Sequence, residues 1–184
     1  MSEKTSILAG KSILAVDDET DILESIEDIL YMAKIDTAID YKTASEKLKN
    51  KPYDLAILDI MGVDGLKLLE ESVAKGIPTV MLTAHAVNPE ALMASIRKGA
   101  ISYLPKESLA DLDNLLHELF RAHEKGKAPW KLLFEKLGKY FDERFGEGWQ
   151  EKDKEFWSDF SRTYQVGKGI QERLRHDGRV KDKF

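Results

Sequence analysis

The segment Tyr53–Gly65, YDLAILDIMGVDG, decides the fold of this chain of 184 residues. Its apolar run, Leu55 to Leu58, predicts a strand buried on both faces, as in a parallel sheet covered by helices on both sides. The run stops at Asp59, whose carboxylate is costly to bury alone and is therefore expected at the carboxyl edge of the sheet. In open α/β sheets that edge is where ligands bind. An aspartate that merely ends a strand and caps the following turn is the alternative.

The composition predicts a globular protein made of one domain of ordinary size and an appendage, with 42% hydrophobic and 33% charged residues. The sequence contains no cysteine, which excludes disulfides and thiolate metal sites. Its polar amino end does not resemble a signal peptide, and no apolar run reaches the roughly 18 residues of a membrane span. We therefore expect a cytoplasmic protein that does not contact a membrane.

The charge is distributed unevenly along the chain. From Gly126 onward there are 14 basic and 11 acidic residues, whereas the whole chain has a net charge of −5. An acidic front and a mildly basic back indicate two regions with different roles. We assign residues 1–125 to one domain and residues 126–184 to an aromatic-rich helical extension with a basic tail.

Apolar segments and helical patterns alternate through the first region. The predicted strands are Ser12–Val16, Lys34–Ile39, the run at Leu55, Ile77–Leu82 and Ile101–Leu104. The first predicted helix is capped by Thr20 or Asp21. The second covers Thr43–Asn50, and the third runs from Leu66 to a stop at Gly76. The fourth follows an Asn88 cap, and the fifth covers Leu109–His123. Five repeats of strand and helix predict an α/β fold with a five-stranded parallel sheet and helices on both faces.

Polar side chains follow four of these strands at their carboxyl ends, and a parallel sheet brings such ends to one edge. They are Asp17 and Asp18, Asp59, Thr83, and Lys106. Clustered carboxylates raise one another's pKa values, and a hard divalent cation such as Mg²⁺ relieves that conflict. A lysine and a hydroxyl beside them suit a phosphoryl group in transfer.

This constellation resembles the CheY-like receiver domain of two-component response regulators over roughly residues 11–125. The resemblance rests on the acidic pair, Asp59, Met61, Gly65, Thr83-Ala84, Tyr103 and Lys106, which occur in the family's order. It implies a flavodoxin-like, doubly wound (βα)5 fold. It also implies a phosphorelay protein in which Asp59 accepts a phosphoryl group from a sensor histidine kinase or a phosphotransfer protein.

The resemblance also implies a magnesium site. Asp18 and Asp59 would bind Mg²⁺ directly, Met61 would contribute its backbone carbonyl, and Asp17 would act mainly through water. The alternative for Asp17 and Asp18 is a solvated helix cap.

Three further residues receive roles from the resemblance. Lys106 would pair with the acyl phosphate, Thr83 would move toward the phosphoryl oxygen, and Tyr103 would swing inward behind it. The alternative for Tyr103 is plain packing in the sheet. His85, close to the predicted site, is expected to be a solvent-facing loop residue.

Two loop positions depart from the family pattern. Gly62 stands where proline is commoner, and we expect this to make the loop more flexible. Glu107 follows Lys106, where many members have a cis proline, so the rigidity of both loops is in question.

The extension holds 11 of the 16 aromatic residues, all at or after Trp130. Helical spacing predicts helices over Pro129–Phe145 and Gln150–Tyr164, separated by Gly146-Glu147-Gly148. Two helices of this size are marginal alone, so we expect them to dock on the first domain or on a second copy of the chain. The segment Arg162–Phe184, with seven basic and three acidic residues, is predicted to be a solvated tail.

The predicted function is a signalling switch that acts by protein contact and is not an enzyme beyond slow loss of its phosphoryl group. The second hypothesis is a DNA-binding transcriptional regulator with its effector in residues 126–184, although no convincing recognition helix is visible and nucleic acid is not expected as a partner. A third, an aspartyl-phosphate hydrolase, needs a second acid two residues after Asp59, where Met61 stands. A homodimer is left open.

Overall fold

The computed structural model describes residues 6–84, 88–127 and 129–165. Five parallel strands form one sheet in the order β2-β1-β3-β4-β5. The strands are β1 Ser12–Val16, β2 Lys34–Ala38, β3 Leu55–Leu58, β4 Thr79–Thr83 and β5 Ser102–Pro105. The central strand is β3, and all four of its residues are buried, which confirms the interpretation of the opening segment.

Seven α-helices alternate with or follow the strands within the described ranges. They are α1 Thr20–Ile29, α2 Tyr41–Asn50, α3 Gly65–Ala74, α4 Pro89–Arg97, α5 Leu112–Glu124, α6 Pro129–Phe145 and α7 Lys154–Gln165. Short 3-10 helices cover Lys106–Asp111 and Trp149–Asp153. The five strand–helix repeats confirm the predicted flavodoxin-like (βα)5 fold followed by a small helical extension.

Several helix starts differ from the predicted ones because of local hydrogen bonds. The residue that caps α1 is Glu19, not Thr20 or Asp21, and its backbone N–H donates to Asp17 Oδ1 at 2.9 Å. Helix α2 begins two residues early because Asp40 accepts from the Thr43 N–H at 2.7 Å.

The predicted cap of α4 is confirmed, since Asn88 Oδ1 accepts from the Ala91 N–H at 2.8 Å. Two other helices begin later than predicted, α5 at Leu112 and α7 at Lys154, because 3-10 turns occupy the residues before them. A 3-10 turn keeps a nearly helical repeat, so residue spacing does not separate the two.

The strand register places the predicted site residues along one edge. Leu58 pairs with Val16 on one side and with Met81 on the other, so Asp17 and Asp59 both follow directly after paired residues. On the far side Thr83 pairs with Pro105. Neighbouring parallel strands therefore end together, and the residues that follow them share the carboxyl edge.

Helix α6 packs on α5 and on β5, the edge strand of the sheet. Trp130, 1% exposed, donates its indole N–H to the carbonyl of Ala100 at 2.9 Å. Phe141 is fully buried with its ring centroid 6.3 Å from that of Tyr103. The extension is thus docked on the sheet domain through large apolar side chains.

The extension also has a core of its own. Its rings meet mostly edge to face, with centroids 4.9 to 6.3 Å apart, in a cluster of Trp130, Phe134, Phe141, Phe145, Trp149, Phe156, Trp157 and Phe160. Gly146 and Gly148, at φ 89° and 71°, make the turn between α6 and the 3-10 helix. This chain reversal lets the aromatic faces of α6 and α7 meet.

Two predictions fall wholly or partly on residues outside the described ranges. The proposed loop position of His85 is one, and the basic tail beyond Gln165 is the other. Within the described part of the chain, no helix has the length and apolar character that crossing a membrane requires.

The buried contact of Phe141 predicts a large loss of stability on truncation. Replacing a fully buried phenylalanine by alanine leaves a cavity, so Phe141→Ala should lower the free energy of unfolding by about 3–5 kcal/mol. The matched control is Tyr31→Ala, because Tyr31 is 81% exposed and its loss should change stability by less than about 0.5 kcal/mol. Urea denaturation measures both, and equal midpoints for the two variants would contradict this packing.

Candidate functional site

The carboxylate of Asp59 lies at the end of the central strand and is 5% exposed. The backbone N–H of Asp59 donates to the carbonyl of Val16 at 2.9 Å, which extends the strand pairing by one residue. Its Oδ1 accepts from the N–H of Ile60 at 2.9 Å. These bonds hold one carboxylate oxygen in place and leave Oδ2 for other partners.

Lys106 brings the acidic side chains of the site together. Its Nζ lies 2.9 Å from Asp17 Oδ2, 3.3 Å from Asp59 Oδ2 and 3.2 Å from Glu19 Oε1. The lysine side chain is only 11% exposed. One largely buried ammonium therefore offsets part of the negative charge that the strand ends collect.

The burial of this cluster shifts its pKa values. Burial, and then the charge of Asp17, raise the pKa of Asp59 to about 6 against the opposing effect of Lys106. Burial likewise raises the pKa of Asp17. Burial disfavours the charged form of Lys106, but its hydrogen bond to Asp17 and the charge of Asp59 outweigh that and raise its pKa. The lysine therefore stays protonated while the two aspartates compete for it.

The donor set of the site fits a hard cation. Carboxylate oxygens of Asp17, Asp18 and Glu19 lie within 4.8 Å of one another, and Asp59 shares Lys106 with two of them. Oxygen donors in this number and charge are what Mg²⁺ prefers. Asp18 and Glu19 are exposed, which leaves room for the waters that Mg²⁺ keeps.

The loop after Asp59 leaves no space for side chains at its glycines. A Cβ on Gly62, which has φ 82°, would lie 2.4 Å from Asp18 Oδ2. A Cβ on Gly65 would lie 1.7 Å from the backbone oxygen of Asp59. Proline cannot adopt the φ of Gly62. The glycine that replaces the commoner proline therefore allows both this backbone conformation and the close approach to Asp18. Whether this loop is more flexible stays a prediction.

The predicted switch residues are both buried. Thr83 is 5% exposed at the end of β4, the strand next to β3. Tyr103 is fully buried, and its hydroxyl has no hydrogen-bond partner among the described residues. Burial, and then the neighbouring Tyr140, raise its pKa. Because Phe141 lies against its ring, the extension already encloses Tyr103.

Two residues of the site region were missed by the sequence analysis. Glu19 binds Lys106, and the only available signal was its position directly after the acidic pair. Glu107 was noted only as a departure from proline, yet its carboxylate binds Tyr140 and Arg144 of α6. No pattern in the sequence pairs Glu107 with residues more than thirty positions away.

The fold agrees with the comparisons to known proteins. The model of the response regulator receiver domain family matches residues 13–119. The chain therefore belongs to this family and carries a receiver domain of two-component signalling, as the sequence predicts.

Named relatives support the same assignment. The two-component response regulator ARR18 of Arabidopsis thaliana is 34% identical over 131 residues, which are 67% of this chain and 20% of that protein. ARR10 of the same plant is 34% identical over 121 residues, 61% of this chain and 22% of the relative. The matching part thus spans about a fifth of the length of these relatives.

Solved structures share the fold. A CheY-like receiver domain protein from Methanospirillum hungatei JF-1 has a TM-score of 0.55 and 28% identity, over 64% of this chain and 100% of that one. NtrX from Brucella abortus gives a TM-score of 0.55 and 32% identity, over 63% of this chain and 28% of that chain.

The raised pKa of Asp59 predicts a pH-dependent effect of its replacement in metal-free protein. The folded state binds the Asp59 proton more tightly than the unfolded chain does. Protonated Asp59 therefore contributes to the free energy of unfolding at low pH, and this contribution is lost as the pH rises through about 6. Asparagine cannot ionise, so Asp59→Asn should stabilise the protein by on the order of 1–3 kcal/mol at about pH 7.5 and by much less at about pH 4.

Urea denaturation in the presence of a chelator measures this difference. The control is Asp64→Asn, because Asp64 is exposed in the same loop and already has a positive φ of 53°, which asparagine tolerates. A gain in stability for Asp59→Asn that is the same at both pH values would contradict the assigned burial.

The close approach at Gly65 predicts that even one methyl group disturbs the site. Gly65→Ala should lower stability by at least about 2 kcal/mol, because the backbone of Asp59 must move. Gly138→Ala is the control: no atom lies within 4 Å of its Cβ position on α6, and alanine should stabilise that helix by up to about 1 kcal/mol. Thermal melting distinguishes the two, and a harmless Gly65→Ala would show that the loop is not held as described.

Proposed function

We propose that this protein accepts a phosphoryl group on Asp59 from a phosphohistidine of a sensor histidine kinase or phosphotransfer protein, in a Mg²⁺-dependent reaction. The observation that carries the proposal is the placement of the Asp59 carboxylate, 5% exposed at the sheet edge, with the Lys106 ammonium 3.3 Å away. Membership of the receiver family supports the same partner class.

The proposed chemistry is a displacement at phosphorus. A carboxylate oxygen of Asp59 forms the new O–P bond while the P–N bond to the donor imidazole breaks, and the nitrogen keeps the bonding electron pair. The nucleophile must be ionised, and a pKa of about 6 leaves most Asp59 side chains ionised near neutral pH. Aspartyl phosphates are mixed anhydrides, so water can later remove the group.

Two side chains stabilise the transferred group in this proposal. Lys106 supplies a protonated ammonium that already contacts Asp59 and can pair with a phosphoryl oxygen. Thr83, at the end of the neighbouring strand β4, offers a hydroxyl donor.

Asp17, Asp18, Asp59 and the backbone carbonyl of Met61 would hold the magnesium ion. When bound, Mg²⁺ supplies positive charge that lets clustered carboxylates and an anionic phosphoryl group share one site. Glu19 adds a further carboxylate beside Asp17 and Asp18. Met61 is 74% exposed, so the loop that holds it is open to solvent.

The output we propose is a change in protein contacts, not turnover of a substrate. A phosphoryl group adds negative charge at the edge of the sheet and can shift an equilibrium between two conformations through Thr83 and Tyr103. The aromatic side chains of the extension are packed on one another and on the receiver. This packing supports a protein-contact role for α6 and α7 over an independent DNA-binding unit.

The test is phosphorylation by a small phosphoryl donor, phosphoramidate, with and without Mg²⁺. Intact mass spectrometry should show one added phosphoryl group on the wild type with Mg²⁺, strongly reduced addition with a chelator, and none on Asp59→Asn. Asp64→Asn, in the same loop, should be modified like the wild type. Modification of Asp59→Asn to the wild-type extent would contradict the proposal.

A further inference from the structure

Glu107 links the extension to the segment that carries Lys106. Its Oε1 accepts from Arg144 Nη2 at 2.9 Å, and its Oε2 accepts from the Tyr140 hydroxyl at 3.2 Å. Arg144 Nε also donates to the Tyr140 hydroxyl at 3.3 Å. Residues 140 and 144 are four apart in α6, so one face of that helix holds the carboxylate with two donors.

Lys106 and Glu107 are adjacent and are held by different parts of the molecule. The ammonium of Lys106 binds the carboxylates of the site, and the carboxylate of Glu107 binds α6. Both residues lie at the start of the 3-10 helix that follows β5. A short backbone segment is therefore fixed from both sides, and a movement of one anchor is transmitted to the other.

Helix α6 is itself fixed to the sheet by contacts within β5 and just before it. Trp130 binds the carbonyl of Ala100 just before β5, and Phe141 lies against Tyr103 within β5. The position of α6 relative to β5 is thus defined by buried contacts, which resist displacement. The donors at residues 140 and 144 accordingly offer Glu107 a fixed place.

We infer that Glu107 is a positioning residue through which the extension places Lys106 at Asp59. The inference rests on the function proposed above for Asp59. Lys106 is shared among Asp17, Glu19 and Asp59, and a phosphoryl group on Asp59 draws it away from the first two. The segment 106–107 moves with it, so the docking of α6 and the occupation of Asp59 influence each other equally.

The pair of Glu107 and Arg144 is suited to this role because it adds little to stability. Their side chains are 42% and 41% exposed, and exposed ion pairs are weak contributors to folding. Its removal therefore leaves the fold in place. A change in binding at Asp59 would then report on positioning and not on unfolding.

The chain supplies its own probe and its own control. Its three tryptophans, Trp130, Trp149 and Trp157, all lie in the extension, so their fluorescence reports on the packing of the extension. Trp130 also contacts the receiver directly. The matched control is Lys136→Ala, which removes an ion pair between α6 and Glu118 of α5 with similarly exposed side chains. That pair is not adjacent to Lys106 in the chain.

The experiment measures binding of beryllofluoride, a phosphoryl mimic, to the full chain with Mg²⁺ by calorimetry, alongside tryptophan fluorescence. We expect Glu107→Ala and Arg144→Ala to raise the Kd by about two- to five-fold, the range of an exposed hydrogen-bonded ion pair, and Lys136→Ala to leave it unchanged. Beryllofluoride should change the fluorescence of the wild type, and change it less in the first two variants. The exchanged pair Glu107→Arg with Arg144→Glu should recover part of the affinity.

Two results would overturn the inference and are distinguishable. If the wild type and Glu107→Ala bind beryllofluoride equally, with the same change in fluorescence, Glu107 does not position Lys106, while the proposed phosphoacceptor site stands. If the wild type does not bind beryllofluoride at all, the function proposed for Asp59 fails, and the inference fails with it.

Discussion

The site depends on one constraint: the carboxylates that end parallel strands must share a cation. Asp17 and Asp59 are both nearly buried, and two such charges side by side would each be costly without compensation. Lys106 directly follows the edge strand β5, and its ammonium lies against both carboxylates. Because three strands contribute to this contact, the sheet must be correctly assembled before the site exists.

The strand that precedes Lys106, β5, is also the strand on which the extension packs. Ala100, Tyr103 and Glu107, which precede, form or follow β5, all contact α6. The hydroxyl of the buried Tyr103 has no partner among the residues that the structure describes, which costs about 1–3 kcal/mol. The cost arises because the hydroxyl is buried, and Phe141 lies against the ring that carries it. Receiver and extension thus form one packing unit around β5, and Tyr103 is enclosed by a segment that lies outside the matched family region.

Much of the fold followed from residue patterns with a direct physical cause. The apolar run at Leu55 required burial on both faces, and the carboxylate of Asp59 required an edge, so their positions could be predicted without knowledge of the other strands. Five apolar residues of α5 occur at helical spacing, and all are buried: Leu112, Leu115, Leu116, Leu119 and Phe120. The ends of helices were less predictable, since 3-10 turns at Lys106–Asp111 and Trp149–Asp153 satisfy the same spacing.

The remaining features depend on contacts between segments far apart in the sequence. That the extension buries its aromatics could be predicted from Trp130 and Phe141, but the surface they cover could not, because composition does not specify a partner. Glu107 and Arg144 illustrate the point: each is an ordinary surface charge in the sequence, and only the docking of α6 brings them within 2.9 Å. Glu19 joins the site for a similar reason, since its reach to Lys106 depends on where α1 begins.

The central claim is that Asp59, and no other carboxylate of the cluster, receives the phosphoryl group. The most direct test is reduction of the phosphorylated chain with borohydride, which converts an aspartyl phosphate to homoserine, followed by mass mapping of proteolytic peptides. The account predicts homoserine at position 59 and unchanged residues at Asp17, Asp18 and Glu19. Homoserine at Asp17 or Asp18, or an unmodified Asp59 in protein that carries phosphate, would contradict it.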